Sequence, residues 1–174
     1  MNLSRMMRHF STSQFSLRKI FTDEALSAIE QSIQRAESNH DGEICFAVEA
    51  SLSTNALLSN QTARERALEV FSLLRVWDTE CNNGVLIYLL LADRDVEIVA
   101  DRGLNEKITS TQWESICQRM ESAFVQQQFE AGVIEGIHCI STHLNEHFPC
   151  DGFVKKNELS NKPIILGRTP RIIK

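Results

Sequence analysis

The feature that most constrains this chain is an uninterrupted apolar run of eight residues, Val85-Leu-Ile-Tyr-Leu-Leu-Leu-Ala92. A helix that crosses a membrane needs about 20 apolar residues, so this run is too short to be one. Its length is typical of a β-strand that is covered on both faces. We therefore predict a sheet that contains this strand and has helices packed on both sides.

Turns bound this strand at both ends. Asn82-Asn83-Gly84 precedes it, and Asp93-Arg94-Asp95 follows it. Asn and Gly are favoured in turns because they tolerate positive φ angles. Residues 96–101 then alternate between apolar and mostly polar side chains, which predicts a half-exposed strand in a hairpin with the first. A further strand is predicted over 43–49, where apolar residues occupy every second position.

Four stretches have the periodicity of amphipathic helices. The first begins after Thr22 and ends near Asn39, and the second spans about residues 60–77. The third opens with a capping box formed by Thr111 and Glu114, and the fourth carries an apolar stripe over 129–148. The order is α-β-α-β-β-α-α. We therefore predict an α/β (α+β) fold with a mixed sheet of about three or four strands sandwiched by helices.

Basic residues are concentrated at the two ends of the 174-residue chain, where 10 of the 18 lie before residue 20 or after residue 150. We predict a flexible basic segment over 1–20, a domain over 21–149 and an irregular basic tail over 150–174. Residues 21–150 carry 8 basic and 21 acidic side chains. A domain this acidic repels phosphate backbones and attracts cations, so we expect no nucleic acid as a partner.

The five cysteines are widely spaced and include no C-x-x-C pair, which is typical of reduced thiols in a cytosolic protein. The first twenty residues contain four basic residues and no acid, and they lack the apolar core of a secretory signal. We therefore expect a cytoplasmic protein without a transmembrane segment. Because the same composition resembles a mitochondrial transit peptide, a mitochondrial location is the alternative.

The run from Asn82 to Leu104 resembles the TPM domain, in which an Asp-Asn-Gly turn precedes an apolar strand. In that family Asp-Arg, a second strand and Gly-Tyr-Gly-Leu-Glu follow. Phe124, Gly132 and Gly136 resemble the family's Phe-x-x-Gly-x-Tyr/Phe-x-x-Gly helix junction. The resemblance covers about residues 20–148. The family includes thylakoid-lumen proteins that are similar to acid phosphatases.

The resemblance implies a site for a divalent cation, calcium or magnesium, because some family members bind calcium and hard cations prefer oxygen ligands. Its two turns supply Asn82, Asn83 and Asp93, and nearby acids complete the candidate set. The candidate metal ligands are Asp93, Asn82, Asn83, Asp101, Asp78 and Glu80. Arg94 adjoins Asp93 and is not expected to be a ligand.

This sequence departs from the family pattern at four positions. Asn82 stands where the family has Asp, Asp101 replaces the first Gly, Arg102 replaces Tyr, and Asn105 replaces Glu. Since affinity for a hard cation follows the charge of its ligands, we expect weak binding. Turn formation is an equally good explanation for these residues, because turns require Asn, Asp and Gly in any case.

Three functions remain open at this point. The favoured one is a module that binds a divalent cation weakly and docks on a protein or membrane-associated partner. The second is a weak metal-assisted phosphomonoesterase, with Asp93 as its catalytic residue or as the ligand of a cation that polarises a phosphoryl oxygen. The third is a metal-free assembly factor. No activated base or cluster of basic phosphate ligands supports the enzyme.

Other catalytic patterns find little support. His143-Leu-Asn-Glu-His147 matches the H-x-x-E-H pattern of some zinc proteases. Leu144, however, belongs to the apolar stripe of a helix that ends at Pro149, so we interpret the two histidines as part of a packed helix. The sequence contains neither a phosphate-binding G-x-x-x-x-G-K-[ST] loop nor a G-x-G-x-x-G fingerprint.

Overall fold

A computed structural model describes residues 3–150 and 157–167 of the chain. Seven α-helices and four strands are found within these ranges. The helices are α1 (Leu3–Ser11), α2 (Gln14–Ile20), α3 (Asp23–Glu37), α4 (Thr54–Leu58), α5 (Ala63–Leu73), α6 (Ser110–Val125) and α7 (Phe129–His147). The strands are β1 (Glu43–Glu49), β2 (Gly84–Leu90), β3 (Asp95–Ala100) and β4 (Ile164–Leu166). A short 3-10 helix, Arg102–Leu104, follows β3.

The four strands form one mixed sheet in the order β3-β2-β1-β4. β1 and β2 are parallel, with Glu43 opposite Gly84, and β3 runs antiparallel to β2, with Ala100 opposite Val85. β4 extends the sheet on the other side, parallel to β1. The predicted fold class, a mixed sheet sandwiched by helices, is confirmed.

Each face of the sheet has its own apolar core. On β2, Val85, Ile87 and Leu89 pack with buried residues of α3, α6 and α7. Leu86, Tyr88 and Leu90 point to the opposite face and pack with residues of α4 and α5. Because successive strand residues alternate between faces, an uninterrupted apolar run is what a strand needs when helices cover both sides.

Helix boundaries differ from the predicted ones at two places. The capping box of α6 is formed by Thr109 and Gln112, two residues before the predicted pair. Here the Thr109 side chain accepts a hydrogen bond from the Gln112 backbone, and the Gln112 side chain accepts one from the Thr109 N–H. The helix predicted over about 60–77 is α5 alone, which starts after a capping box at Thr62 and ends at Leu73.

The helix junction that resembles the TPM pattern depends on close packing between α6 and α7. A methyl group added at Gly132 would lie 2.8 Å from the Phe124 ring, and one at Gly136 would overlap the Met120 sulfur. Phe124 and Met120 are both fully buried. The two glycines thus provide the space that lets these side chains approach the α7 backbone.

Both ends of the chain contribute more structure than the sequence indicated. Residues 3–11 and 14–20, which we predicted to be flexible, are the helices α1 and α2, and Leu17 of α2 is buried in the core. In the predicted irregular tail, residues 164–166 form β4. The rest of that tail over 151–156 and 168–174 lies outside the described residues. Within the described ranges, no helix has the length and apolar character needed to cross a membrane.

Candidate functional site

The predicted site residues lie at two opposite ends of the sheet. Asn82 and Asn83 directly precede β2, and Asp101 directly follows β3. Because these two strands are antiparallel, all three residues lie at one end of the sheet, which we call the loop edge. The Asp101 backbone N–H donates to the Gly84 carbonyl at 2.9 Å, which fixes this arrangement.

Asp93 lies at the other end of the sheet, after β2. β2 has seven residues, and at about 3.3 Å per residue it separates Asp93 from Asn83 by roughly 20 Å. One cation cannot contact both groups. We therefore correct the predicted ligand set by removing Asp93 from it.

At its own end, Asp93 is the partner of three basic side chains from α1. Arg5 Nε donates to Asp93 Oδ2 at 2.8 Å, Arg8 donates to Oδ1 at 3.0 Å, and His9 Nε2 lies 3.1 Å from Oδ2. The His9 side chain is buried, whereas that of Arg8 is half exposed. We call these four residues the Asp93 cluster. It ties the N-terminal helix to the turn between β2 and β3.

The chemistry of the Asp93 cluster is that of a structural ion pair. His9 Nδ1 accepts a hydrogen bond from the Leu52 N–H at 3.1 Å, so its Nε2 carries the proton that faces Asp93. Burial alone would raise the pKa of Asp93, but hydrogen bonds from His9, Arg5 and Arg8 outweigh it and hold the pKa well below its ordinary value. Asp93 is therefore ionised, and both of its carboxylate oxygens contact side chains of α1.

At the loop edge, Asn82 adopts a positive φ angle of 52°. Asn is among the few residues that reach this region at low cost, which explains its place in the turn. Its carbonyl accepts from the Gly103 N–H at 3.0 Å, and its side-chain oxygen accepts from Arg102 Nε at 2.8 Å. Arg102 thus places a positive charge beside the predicted cation site.

Asn83 and Asp101 each have one buried oxygen to which none of the described residues donates a hydrogen bond. Asn83 is buried, its N–H donates to Thr79 Oγ1 at 3.1 Å, and its Nδ2 donates to the Asp41 carbonyl at 3.0 Å. Asp101 Oδ1 accepts from the Arg102 N–H at 2.7 Å and caps the 3-10 helix. Asn83 Oδ1 and Asp101 Oδ2 have no hydrogen-bond partner among the described residues. Such oxygens are costly to bury.

The other two predicted ligands are exposed. Asp78 accepts a hydrogen bond from Arg75 at 2.6 Å, so its charge already has a partner. Glu80 lies on the same loop, and its N–H donates to Glu158 Oε2 at 2.9 Å. Within residues 3–150 and 157–167, no three His, Cys, Asp or Glu side chains are grouped so as to hold a metal ion. A cation at the loop edge therefore has to rely on amide and backbone oxygens as well as carboxylates.

Two buried glutamates beside the loop edge were not predicted. Glu43 accepts hydrogen bonds from the N–H groups of Glu158 and Leu159, at 3.4 and 3.2 Å. Glu37 accepts from the Ile44 N–H at 2.8 Å and from Asn161 Nδ2 at 2.6 Å. These bonds hold the segment that leads to β4. The signal in the sequence for Glu43 is an acid at the start of a strand in which every second residue is apolar.

A second buried network lies at the far end of β1. Glu49 accepts from the Tyr88 hydroxyl at 2.8 Å and from two nitrogens of Arg66 at 2.8 and 3.2 Å. Burial and the neighbouring Glu49 charge raise the pKa of Tyr88. The network satisfies a carboxylate inside the apolar layer between the sheet and α5, which is a structural role.

An acidic hollow of about 510 Å³ lies between β3 and α6, with Arg64 at its rim. Asp95, Glu97 and Glu121 line it, and burial raises the pKa of all three carboxyl groups. The charge of Asp93 raises the pKa of Asp95 further, and the charge of Asp95 does the same for the two glutamates. The negative charges of these groups repel one another, so removing one of them should reduce the repulsion.

Comparison with known proteins agrees with this architecture. The TPM domain matches residues 16–142, which is more than half of the chain. The BA42 protein of the psychrophilic bacterium Bizionia argentinensis, solved by NMR, is 30% identical with a TM-score of 0.70, over 83% of this chain and 94% of that one. No curated protein matches the sequence.

A further solved structure, the N-terminal domain of a protein from P. gingivalis, shares the fold. Its identity is 20% and its TM-score 0.58, over 74% of this chain and 81% of that domain. The class that these data define is a mixed four-stranded sheet between two helical layers. The chain belongs to the TPM domain family.

Proposed function

We propose that this TPM domain is a non-enzymatic module that binds a divalent cation at the loop edge and docks on a partner. The observation that supports cation binding is the pair of buried oxygens, Asn83 Oδ1 and Asp101 Oδ2, that lack a donor among the described residues. Both flank the β2–β3 ladder at the same end. A cation would supply the positive charge that these oxygens lack.

Calcium fits this site better than magnesium. The candidate site offers the buried carboxylate of Asp101 together with amide and carbonyl oxygens in an irregular arrangement. Calcium accepts mixed oxygen ligands in flexible geometry, whereas magnesium demands a near-ideal octahedron. With Asp101 as the carboxylate ligand and the Arg102 guanidinium close by, we expect a dissociation constant on the order of 10⁻³ M.

The position and partners of Asp93 argue against the phosphomonoesterase alternative. Asp93 receives three donors from α1 and lies at the opposite end of β2 from the loop edge. Those donors stabilise the carboxylate and make it a poor nucleophile. We therefore expect no turnover of p-nitrophenyl phosphate, with or without calcium or magnesium.

Isothermal titration of the full chain with calcium tests the proposal. Asp101→Asn removes the charge but keeps an oxygen that can cap the 3-10 helix, so we expect a folded protein in which calcium binding is lost. Arg102→Tyr removes the competing positive charge, and we expect it to tighten binding several-fold. Asp95→Asn, at the other end of the sheet, is the matched control and should bind like wild type.

Three results would count against this function. Equal calcium binding by wild type and Asp101→Asn would move the site elsewhere. No heat of binding at millimolar calcium would leave the metal-free assembly factor. Metal-dependent release of p-nitrophenol that is lost in Asp101→Asn would establish the phosphatase instead.

A further inference from the structure

The N-terminal helix α1 turns its apolar side to solvent. Leu3, Met7 and Phe10 are 69%, 64% and 54% exposed. Their spacing places them on one face of the helix, within about 60° of one another. A helix on a globular domain ordinarily directs such a stripe towards the core. We call these three residues the α1 stripe.

The Asp93 cluster fixes this orientation. Arg5, Arg8 and His9 lie on the other side of α1, where all three contact Asp93. His9 is buried and also accepts the Leu52 N–H. Because the polar face of α1 is the one bonded to the domain, the apolar face has to point outwards. The contacts of Arg5, Arg8 and His9 with the domain therefore keep the α1 stripe exposed.

The adjoining helix α2 adds an aromatic ring and positive charge. Phe15 is 80% exposed, and the exposed residues Arg18 and Lys19 follow it by three and four positions. These positions share one face of a helix. Residues 3–20 contain no acidic side chain, although residues 21–150 carry 21. Exposed apolar groups and basic groups therefore occur together at this end of the protein.

A second group of exposed apolar residues lies among acidic and basic side chains in equal number. Leu58, Leu68 and Leu73 of α4 and α5 are about half exposed. The exposed residues Glu65 and Glu69 lie among them on α5, and Arg64 and Arg66 of the same helix balance their charge. Apolar exposure is thus comparable in the two places, and charge distinguishes them. This second group serves as an internal control.

We propose that α1 and α2 form a docking surface for an anionic lipid bilayer. The α1 stripe and Phe15 enter the boundary between headgroups and acyl chains, while Arg18 and Lys19 meet lipid phosphates. A bilayer accepts a convex apolar helix face without a matching groove, and its anionic headgroups attract basic side chains. A second copy that pairs through the same surface is disfavoured as the occupant, since it would bring identical positive charges together.

This proposal rests on the proposed function, because it identifies the partner on which the domain docks. It involves no residue of the loop edge. Its test is sedimentation of the full chain with phosphatidylcholine vesicles, with and without phosphatidylglycerol, in EDTA so that cation binding plays no part. We expect binding only to the vesicles that contain phosphatidylglycerol. Added salt should weaken it, because salt screens the attraction between exposed charges.

Three variants separate the contributions. Leu3→Ser/Met7→Ser/Phe10→Ser should lower the partition coefficient by at least about tenfold through lost apolar burial. Arg18→Gln/Lys19→Gln should lower it by about tenfold. The control Leu58→Ser/Leu68→Ser/Leu73→Ser should bind like wild type. Circular dichroism verifies that each variant is folded, which is expected because all of these residues are exposed.

The proposal is overturned if wild type does not sediment with phosphatidylglycerol vesicles at low salt. It is also overturned if the control variant loses as much binding as the α1-stripe variant. Light scattering after gel filtration tests the competing occupant. A dimer that the α1-stripe variant dissociates would assign this surface to a second copy of the chain. A negative result in the vesicle experiments does not affect the conclusion from the calcium titration, because the two experiments test different residues.

Discussion

Asp93→Asn is the change from which we expect the largest effect on the N-terminal helix. The Asp93 carboxylate accepts from Arg5 at 2.8 Å and from Arg8 at 3.0 Å, and it lies 3.1 Å from His9 Nε2. The substitution keeps the shape of the side chain but removes its charge and places an NH₂ group where one acceptor was. A buried imidazole N–H and a mostly buried guanidinium then lose their ionic partner.

The size of the effect follows from the burial of each donor. Hydrogen bonds to a charged group contribute about 1.5–3 kcal/mol when buried, whereas exposed pairs contribute about 0–1 kcal/mol. Arg8 is half exposed and therefore adds little. We expect Asp93→Asn to lower the free energy of unfolding by about 2–4 kcal/mol. The upper limit is the free energy that holds α1 on the domain, because α1 can detach locally.

Urea unfolding at pH 7 measures the global effect, and amide hydrogen exchange of residues 3–11 measures the detachment of α1. A loss of about 3 kcal/mol corresponds to roughly a hundredfold faster exchange in α1. The matched control is Asp95→Asn, two residues away, where removing a carboxylate that burial and Asp93 disfavour should leave stability unchanged or raise it. Surface substitutions usually change the free energy of unfolding by no more than roughly 0.5 kcal/mol. If the free energy of unfolding of Asp93→Asn differs from that of wild type by no more than this, the Asp93 cluster does not anchor α1.

Three further predictions concern pH, a buried hydroxyl and the thiols. Because the folded-state pKa of Asp93 is depressed, its contribution is complete above the unfolded pKa of about 4 and is lost as the pH falls from there towards the folded-state pKa. The stability gap to Asp93→Asn should therefore narrow progressively below about pH 4 in urea titrations, and a constant gap would contradict this. Tyr88→Phe leaves Glu49 with one donor fewer and should cost about 1–2 kcal/mol in urea unfolding, whereas no loss would mean that the Tyr88 hydroxyl contributes nothing. Burial raises the pKa of Cys45 and Cys117 to about 12, so iodoacetamide at pH 8 should label the exposed Cys81 and Cys150 first. Mass spectrometry of the digested protein measures the order of labelling, and early labelling of Cys45 would contradict its burial.

The strands were predictable because their signal is local. The apolar run over 85–92 and the alternation over 96–101 follow directly from burial on two faces and on one. β4 was missed because three apolar residues carry no period, and its pairing with β1 joins positions more than 110 residues apart. The structure of residues 3–20 was missed for a similar reason. Arg5 and Arg8 of this segment pair with Asp93, more than 80 residues away.

The arrangement of the candidate site residues was predictable only in part. Asn82, Asn83 and Asp101 do lie together, since a turn before one strand and the end of its antiparallel neighbour must meet. Asp93 was grouped with them because it is close in sequence. Seven residues of extended chain nevertheless span roughly 20 Å, so the strand that joins the two turns is also what separates them. The predicted length of this strand is sufficient to show that the two turns lie far apart.

The measurement that tests the proposed cation site most directly is a calcium titration of the ¹⁵N-labelled chain followed by NMR. We expect shifts confined to residues 78–84 and 101–105, at millimolar calcium, and their loss in Asp101→Asn. Residues around Asp93 should not shift, because that carboxylate is engaged by α1. Shifts centred on residues 91–95, or none at the loop edge, would contradict the account.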